Sequence, residues 1–226
     1  MGAGDAWFAR QLHAVVPAAT RIVCWDSHYG DAAARTEDTS DARASDAGDG
    51  PGLEFTAERP ARSFDGVLLL DVVEHVEEDV SFLGAVVDTC LAPGGWALVS
   101  VPTYQGLFSD HDRFLRHERR YSPRALRAVV EAAGLVVTAR GGLFHTLLPV
   151  RMAQVASQRA RRRAPGGRRP PEGIGAWRHG PVVTRALVGA LGWDTAVSLA
   201  VSTRGGPLVP GLSTWVFCRR PGGAER

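Results

Sequence analysis

The residues with the most chemistry packed into the least chain are Asp110, His111, Asp112, His117, Arg120 and Tyr121. Imidazoles titrate near neutrality, so His111 and His117 are the groups expected to move a proton to or from a bound molecule. The flanking carboxylates suit an orienting partner for such a base, and a hydrogen-bonded loop network is a further reading of the same residues. A metal is not expected, because neither a His-x3-His helical pair nor a cysteine accompanies the cluster. The whole segment from Tyr104 to Tyr121 is expected to close over a bound ligand, with Tyr104, Asp110, Arg120 and Tyr121 in contact with it.

A second set lies further toward the N-terminus. Gly2, Ala3 and Gly4 precede a helical pattern, and Asp26 ends an apolar strand about 20 residues later, the spacing of nucleotide-binding crossovers. There the glycines let backbone approach the ligand, and the acid accepts hydrogen bonds from ribose hydroxyls. Asp71 holds an equivalent place at the end of another apolar run, Val67 to Leu70.

The elements that must position these groups follow from periodicity. Phe8, Leu12, Val15 and Val16 share a helical face over residues 6–16, and Arg21 to Trp25 reads as a strand. Val67 to Leu70 lacks polar alternation, the mark of a strand buried on both faces. Val80, Leu83, Val87 and Leu91 repeat at helical spacing until Ala92-Pro93-Gly94-Gly95 turns the chain into a strand from Trp96 to Val101. Ser122-Pro123 opens a helix with the buried stripe Leu126, Val129, Val130 and Ala133, closed by Gly134. Leu53 to Thr56, Leu135 to Ala139 and Leu212 to Cys218 are further strands, and residues 181–201 carry one or two helices. Strand, helix and strand in alternation give an α/β fold.

Residues 31–51 read as an acidic flexible loop and 151–176 as an arginine-rich, Pro/Gly-punctuated insertion. The run Arg159 to Arg169 would attract any polyanion, and weak contact with a membrane surface is the partner it suggests. It has no interleaved aromatics for stacking bases, so nucleic acid is not expected. The chain has 226 residues, 45% of them hydrophobic, enough for one sizeable core, and its net charge of +2 gives no global steer. The chain has no lysine, so its cationic side chains other than histidine are all guanidiniums. Cys24, Cys90 and Cys218 have no CxxC spacing and no signal peptide is visible, which points to a reduced, cytoplasmic setting.

Four segments in order, Phe64-Asp65-Gly66-Val67, Val73-Glu74-His75-Val76, Leu91-Ala92-Pro93-Gly94-Gly95 and Ser100-Val101-Pro102, resemble the class I S-adenosylmethionine-dependent methyltransferases of the broad small-molecule type. His117-Glu118-Arg119-Arg120-Tyr121 is similar to the HxRRY segment of close relatives. The resemblance implies a Rossmann-like, doubly wound, mostly parallel sheet spanning residues 1–226 as a single domain. It implies S-adenosylmethionine as cofactor, held by Gly2, Ala3, Gly4 and Asp26, with Leu70, Asp71 and Val72 beside its methionine portion and Glu58 nearest its adenine. The acceptor would be a small or lipid-linked molecule. Relatives carry a hydrophobic strand before the glycine loop, so the expectation is a shortened version lacking its first strand. An NAD-linked oxidoreductase shares Asp26 and the glycines, but Trp7 stands where its fingerprint wants a third glycine. A binding or scaffold protein of the same fold, without catalysis, is the other alternative.

Overall fold

The computed structural model describes residues 7–18, 20–27, 52–163, 180–203 and 209–222. The chain divides into two compact units, Met1–Arg62 and Ser63–Arg226.

In the first unit, helix α1 (Trp7–Val15) is followed by strands β1 (Arg21–Trp25) and β2 (Gly52–Thr56). These strands pair in parallel, from Arg21 opposite Gly52 to Trp25 opposite Thr56. Ala9 of α1 and Cys24 of β1 are buried together, with Ile22, Leu53 and Phe55 packed around them. Of the apolar face predicted for residues 6–16, Phe8 and Val15 are exposed and Leu12 and Val16 only partly buried, so it is Ala9, outside that predicted stripe, that meets the strands. Gly2, Ala3, Gly4 and the acidic segment 31–51 lie outside the described residues.

The second unit holds strands β3 (Phe64–Leu70), β4 (Leu91–Pro102), β5 (Val136–Leu143) and β6 (Ser213–Arg219), in the order β3-β4-β6-β5. Strand β3 runs parallel to β4, whereas β6 is antiparallel to both β4 and β5. Three strands therefore point one way and β6 alone is reversed. Helix α2 (Asp79–Cys90) makes the crossover from β3 to β4, and α4 (Pro123–Ala132) precedes β5. With parallel strands joined through helices, the fold is Rossmann-like α/β, as expected.

Its core follows the predicted periodicity. Leu83 and Val87 of α2 and Leu126 and Val130 of α4 are buried against Leu69, Val99, Val101 and Val216 of the sheet. Fully burying each such side chain contributes about 1.5–3 kcal/mol, so these stripes fix which helix faces meet the strands. Helix α4 starts as its sequence dictates: the Ser122 hydroxyl accepts from the Ala125 N–H at 3.1 Å, and Pro123 takes the first turn, where no donor is needed.

Three boundaries differ from the sequence reading. The predicted turn Ala92-Pro93-Gly94-Gly95 falls within β4, where pairing jumps from Phe64–Leu91 to Gly66–Trp96 and the four residues bulge out of the ladder. Gly94, at φ +77°, takes a conformation that only glycine adopts without penalty. Strand β5 continues four residues past Ala139, to Leu143. Residues 151–163, read as the start of an insertion, belong to helix α5 (Leu147–Arg163). Helix α6 (Pro181–Thr203) is a single helix. Among the described residues, no helix is long and apolar enough to cross a membrane.

Candidate active site

The chain leaves β3 at Asp71, an exposed residue at φ +53° whose N–H donates to the Ser100 carbonyl at 3.0 Å. A non-glycine residue in that region costs roughly 1–3 kcal/mol, and such residues cluster at functional sites, although aspartate tolerates the conformation better than most. Val72 and Val73 then bury, and a short 3-10 turn over Val73–His75 brings Glu74 and His75 beneath the loop that follows β4. That loop is pinned to the turn, since the Glu118 N–H donates to the Glu74 carbonyl at 2.8 Å.

Asp112 is the hub of the loop. Ser109 caps the short helix α3 (Asp110–Phe114) in a capping box, the Asp112 carboxylate taking the Ser109 N–H at 2.8 Å. The same fully buried carboxylate accepts from Arg120 Nε at 2.7 Å, from Arg151 Nη2 at 3.0 Å and from His117 Nδ1 at 3.2 Å. Burial alone would raise its pKa. The His117 hydrogen bond, the Arg120 guanidinium and the Ser109 N–H outweigh that and hold it well below the usual carboxylate range.

Glu74 has the opposite surroundings. Its carboxylate is fully buried, and neither oxygen has a hydrogen-bond partner. Desolvation, followed by the nearby charge of Asp71, raises its pKa to about 8. One ligand atom from each of Glu74, His75 and His117 lies within 4.8 Å of the other two. The two rings meet edge to face, with centroids 4.6 Å apart. His75 Nδ1 donates to the Arg116 carbonyl at 3.2 Å, and His117 Nδ1 to Asp112. Both partners are acceptors only, so each Nδ1 is the nitrogen that carries a proton, and Nε2 is the nitrogen of each ring that can offer a lone pair.

The residues singled out from sequence fall into distinct places. His117 joins this cluster. His111 sits beside it, half-buried, its imidazole held below the ordinary value by burial and then by the Arg151 guanidinium. Arg120 and Tyr121 are buried inside the framework: Arg120 clamps Asp112 and the Thr103 carbonyl, and the Tyr121 hydroxyl donates to Asp79 at 2.7 Å. Burial and that hydrogen bond push the Tyr121 phenol well above its usual range. Tyr104 stands at the loop entrance at φ +62°. Asp110 pairs with Arg113 at 3.1 Å beside a polar cleft of about 190 Å³ lined also by Phe108, Ser109, Val155 and Arg159.

In the first unit, Asp26 is buried at the end of β1, its N–H donating to the Thr56 carbonyl at 3.0 Å. Glu58 is exposed in a turn closed by the Thr56 hydroxyl. Leu70 and Val72 flank Asp71 in the second unit. Of the arginine run, Arg159 donates to the Gly106 carbonyl at 2.6 Å, and the side chains from Arg161 to Arg169 lie outside the described residues.

Glu74 and Arg151 were not among the site residues chosen from sequence, and Asp112 was read as an orienting carboxylate rather than as the hub of an arginine clamp. Ser109-x-x-Asp112 is a readable capping box, and Glu74 stood inside a quoted motif. Nothing local marks Arg151, which reaches Asp112 from 39 residues away.

A family model described as a methyltransferase domain matches residues 1–140. No curated protein matches the chain by sequence. Among solved structures, a chain of the complex between the Haloferax volcanii Trm112 methyltransferase activator and a methyltransferase is 16% identical with a TM-score of 0.51, over 100% of this chain and 82% of that one. A sarcosine dimethylglycine methyltransferase from Galdieria sulphuraria is 14% identical at a TM-score of 0.50, over 97% and 76%. The [4+2]-cyclase SpnF is 17% identical at 0.51, over 98% and 73%. Likeness at these identities establishes the fold, and the cyclase among them shows that this fold also hosts other chemistry.

Proposed function

We propose, from the premise that the chain belongs to the methyltransferase-domain family, that it transfers a methyl group from S-adenosylmethionine to a small-molecule or lipid-linked acceptor. The family match over residues 1–140 carries this reading. The donor set suits the cofactor. Asp26 is a buried carboxylate at a strand end, the chemistry that ribose hydroxyls require, and the strained backbone at Asp71 is an independent sign of function at the end of β3. Asp26 is assigned to the ribose, and Leu70, Asp71 and Val72 to the methionine portion, each by its own position at a strand end.

Bound S-adenosylmethionine supplies an electrophilic methyl group, so the protein's task is alignment together with removal of a proton from an acceptor oxygen or nitrogen. His111 is assigned the proton. Its depressed pKa keeps the ring neutral near pH 7, able to accept, and its helix is fixed by the Asp112 hub. Arg120 and Tyr121 act one step back by holding that hub and the turn beneath it.

Titration calorimetry of the full chain with S-adenosylmethionine tests the reading. Saturable binding is expected, weakened by about 1–3 kcal/mol in Asp26→Ala, the cost of losing hydrogen bonds to a charged acceptor. Absence of binding, or unchanged affinity in the variant, would overturn the assignment.

A further inference from the structure

We propose that Glu74, His75 and His117 form a binding site for one divalent transition-metal ion of the zinc, manganese or cobalt kind. This departs from the sequence expectation of no metal, because His75 and His117 are 42 positions apart and come together only in the fold. The inference does not depend on methyl transfer.

Three independent features converge. The first is the donor set: two imidazole nitrogens and one carboxylate oxygen, each within 4.8 Å of the others, the mixture that suits such ions better than magnesium or calcium. A tetrahedral ion with bonds near 2.0–2.1 Å spaces its ligand atoms roughly 3.4 Å apart, so small side-chain rotations suffice to bring the three atoms in. The second is the surroundings of the rings. Metal-bound histidines characteristically donate their other N–H to a carboxylate or a carbonyl, which fixes the tautomer and aims the lone pair at the ion. His117 does this with Asp112 and His75 with Arg116, and Arg116 holds a positive φ of 59° where its carbonyl receives the ring.

The third feature is Glu74 itself. Both carboxylate oxygens are buried without a partner, although buried carboxylates are normally paired, hydrogen-bonded or bound to metal. The charge of Asp71 repels it, and the Arg120 guanidinium, held by Asp112 and the Thr103 carbonyl, attracts it without bonding either oxygen. A dication answers both oxygens and the repulsion together. Three protein ligands leave coordination positions open to water or to an oxygen of an acceptor, as in catalytic rather than structural sites.

The test uses the full 226-residue chain, stripped with chelator and desalted, in the absence of S-adenosylmethionine, so that its outcome is separate from that of cofactor binding. Equilibrium dialysis against Zn2+ or Mn2+ should show one ion per chain, and Co2+ should give the visible absorption of a low-symmetry nitrogen and oxygen site. Glu74→Gln and His117→Ala should each weaken binding by at least about tenfold, the scale on which even outer partners of metal ligands act. His13→Ala, on the exposed face of α1, should bind like the parent. If Glu74→Gln does not reproduce the parent's far-ultraviolet dichroism, His75→Gln serves in its place, because that ring is only half-buried. The proposal is overturned if the parent takes up no ion saturably, or if the ligand variants bind as well as the parent. It is equally overturned if His13→Ala loses binding as they do.

Discussion

Asp112 and Glu74 are both fully buried carboxylates in one unit, both beside His117, yet they occupy opposite environments. Asp112 accepts from a backbone N–H, a hydroxyl, two guanidiniums and an imidazole, and it remains ionised far into acid. Glu74 accepts from none and is pushed to about 8. The same chemical group thus serves as a structural fastener in one place and as a site awaiting a ligand in the other. What separates the two roles is the count of donors supplied by the chain itself.

Removing the fastener gives the largest expected effect. Asp112→Ala leaves the guanidiniums of Arg120 and Arg151 buried without their counterion, and breaking a buried pair in this way costs about 3–5 kcal/mol. Urea denaturation followed by circular dichroism should show a loss of that order. A loss below about 1 kcal/mol would mean that the arginines find water or other partners, and the contrast with Glu74 would break.

Glu74 should respond with the opposite sign. In metal-free protein, Glu74→Met removes an unpartnered buried carboxylate at similar length, and stability at pH 8 should rise by about 1–3 kcal/mol. The pH dependence sharpens the point. A folded-state pKa of about 8, above the ordinary 4.5, means that the folded protein binds a proton which the unfolded chain has released. Stability therefore falls as pH climbs from about 4.5 to about 8. Denaturation of the parent in chelator at several pH values should show this slope, and the Met variant should lack it. Equal slopes in the two proteins would place the missing partner of Glu74 in ordered water.

Local signals carried much of the architecture. The apolar run before Asp71, the α2 stripe and the Ser122-Pro123 start are one-dimensional patterns, and the structure keeps each. Strand β5 ran longer than read because Arg140-Gly141-Gly142 looks like a break. Yet Gly142 is small for a tertiary reason, as a Cβ there would lie 2.3 Å from the Val209 carbonyl oxygen. The site was legible in its letters and not in its pairings. His117, Asp112 and the Glu74-His75 motif could be picked out, but which carboxylate would be saturated with donors depended on Arg151, hidden in a stretch whose composition resembled a solvated loop. Charges that meet across 39 to 43 residues leave no periodic trace.

Glu54 supplies the smallest effect and the control for the comparison. Like Asp112 it faces two arginines, with Arg62 at 2.8 Å and Arg21 also bonded, but its side chain is 24% exposed and that of Arg62 is 36% exposed. The Arg21 hydrogen bond, working against partial burial and aided by Arg62, lowers its pKa. A depressed folded-state pKa contributes stability above the unfolded value of about 4.5, and that contribution disappears as pH falls through the lower folded value. Solvent screening keeps such a pair within about 1 kcal/mol, so Glu54→Gln should cost no more than that at pH 7 and nothing once the carboxyl is protonated. Raising the ionic strength should shrink the difference further, since exposed charges are screened and buried ones hardly at all. If Glu54→Gln cost as much as Asp112→Ala and ignored salt, the number of arginines rather than burial would set the strength of these clamps.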